Sequence, residues 1–166
     1  MSGFRASRRA RAAAAFAWLP LLSCAAAAVA ADAGTIDFYA VENAPKGMSL
    51  PFSEAVRAGD MLYLAGMIGT DASGKLAGGG IKAEAKQTMD NIAASLKKHG
   101  SSMDRLVQCT VALADMADWP AFNEVYRGYF KQHFPARMAY AASGLALGAR
   151  AEVQCNALVD RAARHH

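Results

Sequence analysis

The stretch "RLVQCTVALA", residues 105–114, alternates between two kinds of side chain. Val107, Cys109, Val111 and Leu113 fall on one side, Gln108 and Thr110 on the other. Successive side chains of a strand leave opposite faces of the backbone, so a period of two predicts a strand. One of its faces suits a core and the other does not. The same pattern returns in "RAEVQCNALV", residues 150–159. There Val153, Cys155, Ala157 and Val159 read as inward, while Glu152, Gln154 and Asn156 read as outward. Two strands with the same unlike faces predict a sheet that buries one side.

Working outward, "FSEAVRAGDMLYLAGMIG" at 52–69 reads as a hairpin turning at Gly59-Asp60. "FYAVE" at 38–42 is a candidate short first strand, and "ARMAYAA" at 136–142 another strand. Helical spacing takes over between them. Ile81, Ala85, Met89, Ile92 and Leu96 make one apolar face of a helix over 81–99. Lys97, Lys98 and His99 occupy its last turn, where cations offset the helix dipole, and Gly100 stops it. A second helix starts from a cap at Asp115 or Asp118 and runs to about Lys131. Pro120 falls in its first turn, where proline is tolerated. Trp119, Phe122, Tyr126 and Tyr129 form its apolar stripe, which reads as core. The order is strands, helix, strand, helix, strands. That order predicts an α+β fold with helices over one sheet face. The other face, with Thr110, Arg137, Glu152, Gln154 and Asn156, is too mixed for plain solvent and too polar for a core. A second subunit could cover it.

The loop "GTDASGKLAGGG" at 69–80 has a triple glycine but lacks the Gly-Lys-Ser/Thr ending of a phosphate-binding loop, so it reads as a connector. Charge excludes another class. The chain carries 18 Lys plus Arg against 14 Asp plus Glu, a net charge of +4. Arg5, Arg8, Arg9 and Arg11 lie before the first acid, Asp32, so residues 31–166 hold 14 of each sign. The basic balance is therefore no sign of nucleic-acid binding.

Those first residues read as an export signal. "FRASRRAR" is basic, "AAAAFAWLPLLSCAAAAVA" is apolar, and "AVA" at 28–30 suits small-residue cleavage before Ala31. The expected division is a signal peptide over 1–30 and a single domain over 31–166, periplasmic or secreted, with no lasting membrane span. "SRR" at 7–9 leaves twin-arginine export open, and "LLSC" leaves a lipoprotein anchored at Cys24 open. Cys109 and Cys155 remain after cleavage, without metal-ligand spacing. They read as two buried small thiols, although an exported protein sits where disulfides form.

Arg137 and Glu152 are the chemical candidates. A guanidinium beside an apolar strand must be paired or exposed. If the last two strands place both residues on one face, they form either a surface ion pair of little worth or a divided site. In the second case Arg137 offers a planar fork to a carboxylate and Glu152 orients or deprotonates a water.

"VENAP", "PFSEAVRAGDMLYLAGMIG", "ADWPAFNEVYRGYF", "FPARMAY" and "AEVQCNALV", taken in order over about residues 38–159, resemble the RidA (YjgF) family of imine and enamine deaminases. The resemblance implies a chorismate-mutase-like mixed sheet with two helices on one face. It also implies a homotrimer around a central barrel, with clefts between subunits. It implies hydrolysis of 2-imino or enamine acids to 2-oxo acids and ammonia, without metal or cofactor. Carried onto this chain, Arg137 grips the substrate carboxylate and Glu152 positions the attacking water. Ala139 contributes backbone groups near that water, and Asn123 is a cleft residue or a structural hydrogen-bonder. Three positions depart from the family: Phe52 replaces a tyrosine, Ala65 a serine and Ala139 a cysteine. These losses keep alive a non-catalytic binder of small carboxylates, or a stress-related holdase, on the same fold.

Overall fold

The computed structural model describes residues 35–42 and 50–160. The expected export signal at 1–30, Cys24 included, lies outside the described residues. Among the described residues seven strands form one sheet: β1 (Ile36–Tyr39), β2 (Ala55–Ala58), β3 (Met61–Leu64), β4 (Met67–Ile68), β5 (Leu106–Leu113), β6 (Ala136–Ala141) and β7 (Ala151–Leu158). Their spatial order is β1-β2-β3-β7-β5-β6, with β4 also paired to β7. Every pairing is antiparallel except β5 with β6, which is parallel. Parallel neighbours need a long crossover. Here α2 (Trp119–Arg127) lies within it.

The hairpin forms as expected, but its return strand is split. Gly59 takes φ 58° in the first position of a two-residue turn between Ala58 and Met61, a conformation that suits glycine. The strand then breaks at Ala65-Gly66, leaving β3 and β4 as separate pieces, both on β7.

Helix α1 spans Ile81–Lys98. Ala85, Met89, Ile92 and Leu96 are fully buried beneath it. Each of the three larger side chains stabilises the fold by about 1.5–3 kcal/mol relative to exposure. Gly100, at φ 72°, ends the helix as read from the sequence. The second helix is shorter than expected. Asp115 caps a 3-10 turn over Met116–Asp118, accepting a 2.8 Å hydrogen bond from the Ala117 N–H. α2 then ends at Arg127, not near Lys131. Gly128 is a poor helix former, and Tyr129 turns to α1, donating to Asp90 Oδ1 at 2.7 Å.

The core lies between the helices and one sheet face, with Leu62, Val111, Leu113, Val153 and Phe122 fully buried. Arg150 ties three elements together before β7 begins. Its guanidinium makes two hydrogen bonds to Asp118, at 2.9 and 2.8 Å, and its N–H donates to Glu84 Oε2 on α1.

Two expectations about this face need correction. Val107 was expected to point inward, but it is exposed while Leu106 is buried. The register shifts between Leu106 and Gln108, so Val107 is the extra residue of a bulge and the alternation restarts after it. Cys109 and Cys155 were expected to be separate thiols. They stand directly opposite in the β5–β7 ladder and form a fully buried disulfide. Their cross-strand register, invisible in the sequence, is the reason.

Candidate functional site

β5 sets the geometry of both candidate residues. Cys109 pairs with Arg137 on one side and with Cys155 on the other. Directly paired residues share a sheet face, so Arg137 points to the helix side, with the core. Ala112 pairs with Tyr140 and with Glu152. That row lies three strand positions away, an odd number, so Glu152 points to the opposite face. The expected sharing of one face by Arg137 and Glu152 is therefore incorrect within a single chain. Arg137 also leaves the mixed open face, which keeps Thr110, Glu152, Gln154 and Asn156.

Arg137 is held by aromatic rings. Its guanidinium carbon lies 4.7 Å from the Trp119 ring centroid and 4.6 Å from that of Tyr126. Both rings come from α2, so the short helix is what positions the cation. Stacking uses the faces of a guanidinium and leaves the N–H groups at its edge able to bind a planar anion. No acid among the described residues forms an ion pair with Arg137. The arginine beside the apolar strand is thus held over two rings, with no acid among the described residues paired to it.

A cavity of about 440 Å³ opens here, lined by Asn123, Tyr126, Arg127, Phe134, Pro135 and Arg137. Arg137 and Asn123 both line it. The Tyr126 hydroxyl is buried and has no hydrogen-bond partner among the described residues. Burial pushes its pKa up to about 12, partly opposed by the Arg137 charge, so it stays protonated at neutral pH. Tyr126 is core, as its place in the apolar stripe predicts, and it also lines the cavity beside Arg127, which no sequence motif marks. The signal for Arg127 was its position one residue after Tyr126 in the helix that faces Arg137.

Glu152 lines a second cavity of about 280 Å³ on the open face, with Thr110, Tyr140 and Gln154 among its walls. Its side chain folds over Gly66, with Cδ 3.1 Å and Cγ 3.3 Å from where a Cβ would stand, and Oε1 inside contact distance. Only a residue without a side chain admits this arrangement. Ala139 is partly buried against the core. Phe52 is exposed and lines neither cavity.

An arginine set among rings lines one cavity and a carboxylate another, on opposite faces of one α+β sheet. The chain belongs to the family described as Endoribonuclease L-PSP, which matches residues 41–159. It is 42% identical over 109 residues to the human 2-iminobutanoate/2-iminopropanoate deaminase, covering 65% of this chain and 80% of that protein. Among solved structures, the fold resembles the yeast protein YEO7 (TM-score 0.70, 33% identity, 76% of this chain and 100% of that one). It also resembles RidA from the Antarctic bacterium Psychrobacter sp. PAMC 21119 (TM-score 0.67, 29% identity, 74% and 99% covered). The expected mixed α+β sheet with two helices agrees with these structures. Among the described residues no helix is long and apolar enough to cross a membrane.

Proposed function

We propose that this protein hydrolyses reactive 2-imino acids to 2-oxo acids and ammonia, at sites built between copies of the chain in a homotrimer. The observation that carries the reading is the stacked, acid-free guanidinium of Arg137 facing a cavity. The 2-iminobutanoate/2-iminopropanoate deaminases at about 40% identity support the same substrate class.

Arg137 takes the substrate carboxylate in a two-bond fork. An imine carbon is already electrophilic, so the protein's task is orientation. Glu152 holds the water that attacks that carbon. The water's oxygen forms the new C–O bond and its protons pass to nitrogen. The C–N bond then breaks, leaving the 2-oxo acid and ammonia.

Within one chain Arg137 and Glu152 face opposite ways, so one copy supplies the anchor and a neighbour supplies the water. The open face fits this role. It exposes Phe38, Tyr63, Met138, Tyr140 and Leu158 on the same face as Glu152, and so much apolar surface is characteristic of an interface. Export completes the reading. The buried Cys109–Cys155 disulfide suits a compartment outside the reducing cytosol, in keeping with the signal-like order of residues 1–30.

The test is hydrolysis of a freshly generated imino acid by wild type, Arg137→Ala, Glu152→Gln and a co-refolded mixture of the two variants. Each variant alone is expected to be nearly inactive, and the mixture to regain activity. Mixed trimers contain sites with Arg137 from one chain and Glu152 from another. A mixture no better than its components would show that sites are not shared. Wild type no faster than buffer would leave only a binder of small carboxylates.

A further inference from the structure

A second arginine lines the cavity at Arg137. Arg127 lines it together with Arg137, and no acid does. Arg127, like Arg137, forms no ion pair among the described residues. From residue 127 to residue 137 the chain carries Arg127, Lys131, His133 and Arg137 and no Asp or Glu. The nearest acid before this run, Glu124, is paired with Lys82 of α1. Residues 31–166 as a whole are balanced at 14 charges of each sign, so this positive concentration is local.

A single substrate carboxylate satisfies Arg137 alone. Arg127 sits in the last turn of α2, where a cation offsets the helix dipole. That explains a cation at the helix end but not its place in the wall of the same cavity. A volume of about 440 Å³ lies in the range of pockets that hold ligands well beyond three or four carbons. Uncompensated cations in one concave site raise the local concentration of multiply charged anions.

We propose that the site selects dicarboxylates: 2-imino acids whose side chain ends in a second carboxylate, gripped by Arg127 while Arg137 holds the first. This rests on the imine-hydrolase reading for its chemistry, but not for its binding geometry. Neutral Asn123 and Tyr126 and apolar Phe134 and Pro135 line the rest of the cavity.

Binding and turnover separate the two ideas. Calorimetry on the intact oligomer compares 2-oxoglutarate with pyruvate, the stable products of a dicarboxylic and a monocarboxylic imine. Wild type is expected to bind 2-oxoglutarate at least tenfold more tightly. Arg127→Gln should bring that ratio down about tenfold, and Arg127→Glu should reverse it. Equal dissociation constants in wild type, or a ratio unmoved in both variants, overturn the inference even if imines are hydrolysed. In parallel, kcat/KM is measured for imines generated from glutamate and from alanine. The same ratio should fall in the variants. If neither imine is hydrolysed but the binding ratio behaves as expected, the hydrolase reading fails and the dicarboxylate site stands.

Discussion

The carboxylate of Glu152 occupies the space that a side chain on residue 66 would need. Gly66 therefore positions Glu152 by what it lacks. In Gly66→Ala the clash falls on the flexible end of Glu152, which can swing away, so the fold survives and the carboxylate moves. Displacement by about 1 Å can cost on the order of a hundredfold in rate. The expected outcome is a tenfold to hundredfold loss of imine hydrolysis, by the same argument, with a melting temperature close to wild type. Full activity in Gly66→Ala would remove Glu152 from the reaction.

Gly69 supplies the contrast. A Cβ there would strike the backbone of Glu84 in α1, with the carbonyl carbon 3.0 Å away. Backbone of a packed helix cannot swing aside. Gly69→Ala should lower stability by about 1–3 kcal/mol, the range for overpacking. Denaturant unfolding measures it, and an unchanged midpoint would refute the close approach of Gly69 to the Glu84 backbone of α1.

Arg137→Lys should fail nearly as badly as Arg137→Ala. A lysine ammonium is a point charge without the planar fork, and it would also lose the stacked position over Trp119 and Tyr126. Loss of a charge-assisted bidentate contact should cost on the order of 2–4 kcal/mol of transition-state binding. That corresponds to roughly a thirtyfold to thousandfold drop in kcat/KM. Circular dichroism should show both variants folded. A lysine variant at wild-type efficiency would mean that charge alone suffices.

The Cys109–Cys155 bond closes a segment with 46 residues of separation that contains α2 and β6. Thiol titration in denaturant, without reductant, should find neither cysteine free in protein made in an oxidising compartment. Replacing both by serine should cost on the order of 2–4 kcal/mol by the loop-closure argument. Two titratable thiols in wild type would restore the reading of separate buried cysteines.

Glu54 gives the protein an acid-sensitive joint between β2 and the end of α1. Burial pushes its pKa up, and this is the largest single influence. Hydrogen bonds from Lys98, Ser95 and His99, with the Lys98 charge, together outweigh it and hold the carboxyl below its ordinary value. Lys98 Nζ is 2.8 Å from Oε2 and Ser95 Oγ is 3.0 Å from Oε1. A carboxyl with a depressed folded pKa adds stability above its unfolded pKa and loses it as pH falls through the folded value. Glu54→Gln should therefore melt a few degrees lower than wild type at neutral pH. The difference should close as the solution is acidified below the usual carboxylate range near pH 4. A constant difference across that range would show that packing, not charge, is lost.

The elements themselves were legible because their signals are local. The 3.6-residue spacing from Ile81 to Leu96 and the alternation from Val153 to Val159 depend only on near neighbours, and both appear in the structure. The glycines that stop α1 and turn the β2–β3 hairpin were equally readable, since only backbone conformation is at stake. Arg137, Glu152 and Asn123 stand out in the sequence through residue type and family pattern, and the structure places each of them at the wall of a cavity.

Facing and pairing were decided only by the tertiary structure. "ARMAYA" has small residues on both phases, so nothing in it says whether Arg137 points to the helices or away. Its pairing with Cys109 settles that. The bulge at Val107 shifts the register without any mark in the alternation. Cys109 meets Cys155, and Glu152 meets Gly66, across strands far apart in sequence. Local propensity says which residues form a strand. Which residue it meets, and on which face, depends on burying the apolar surface of the whole sheet, a free energy that no short stretch of chain contains.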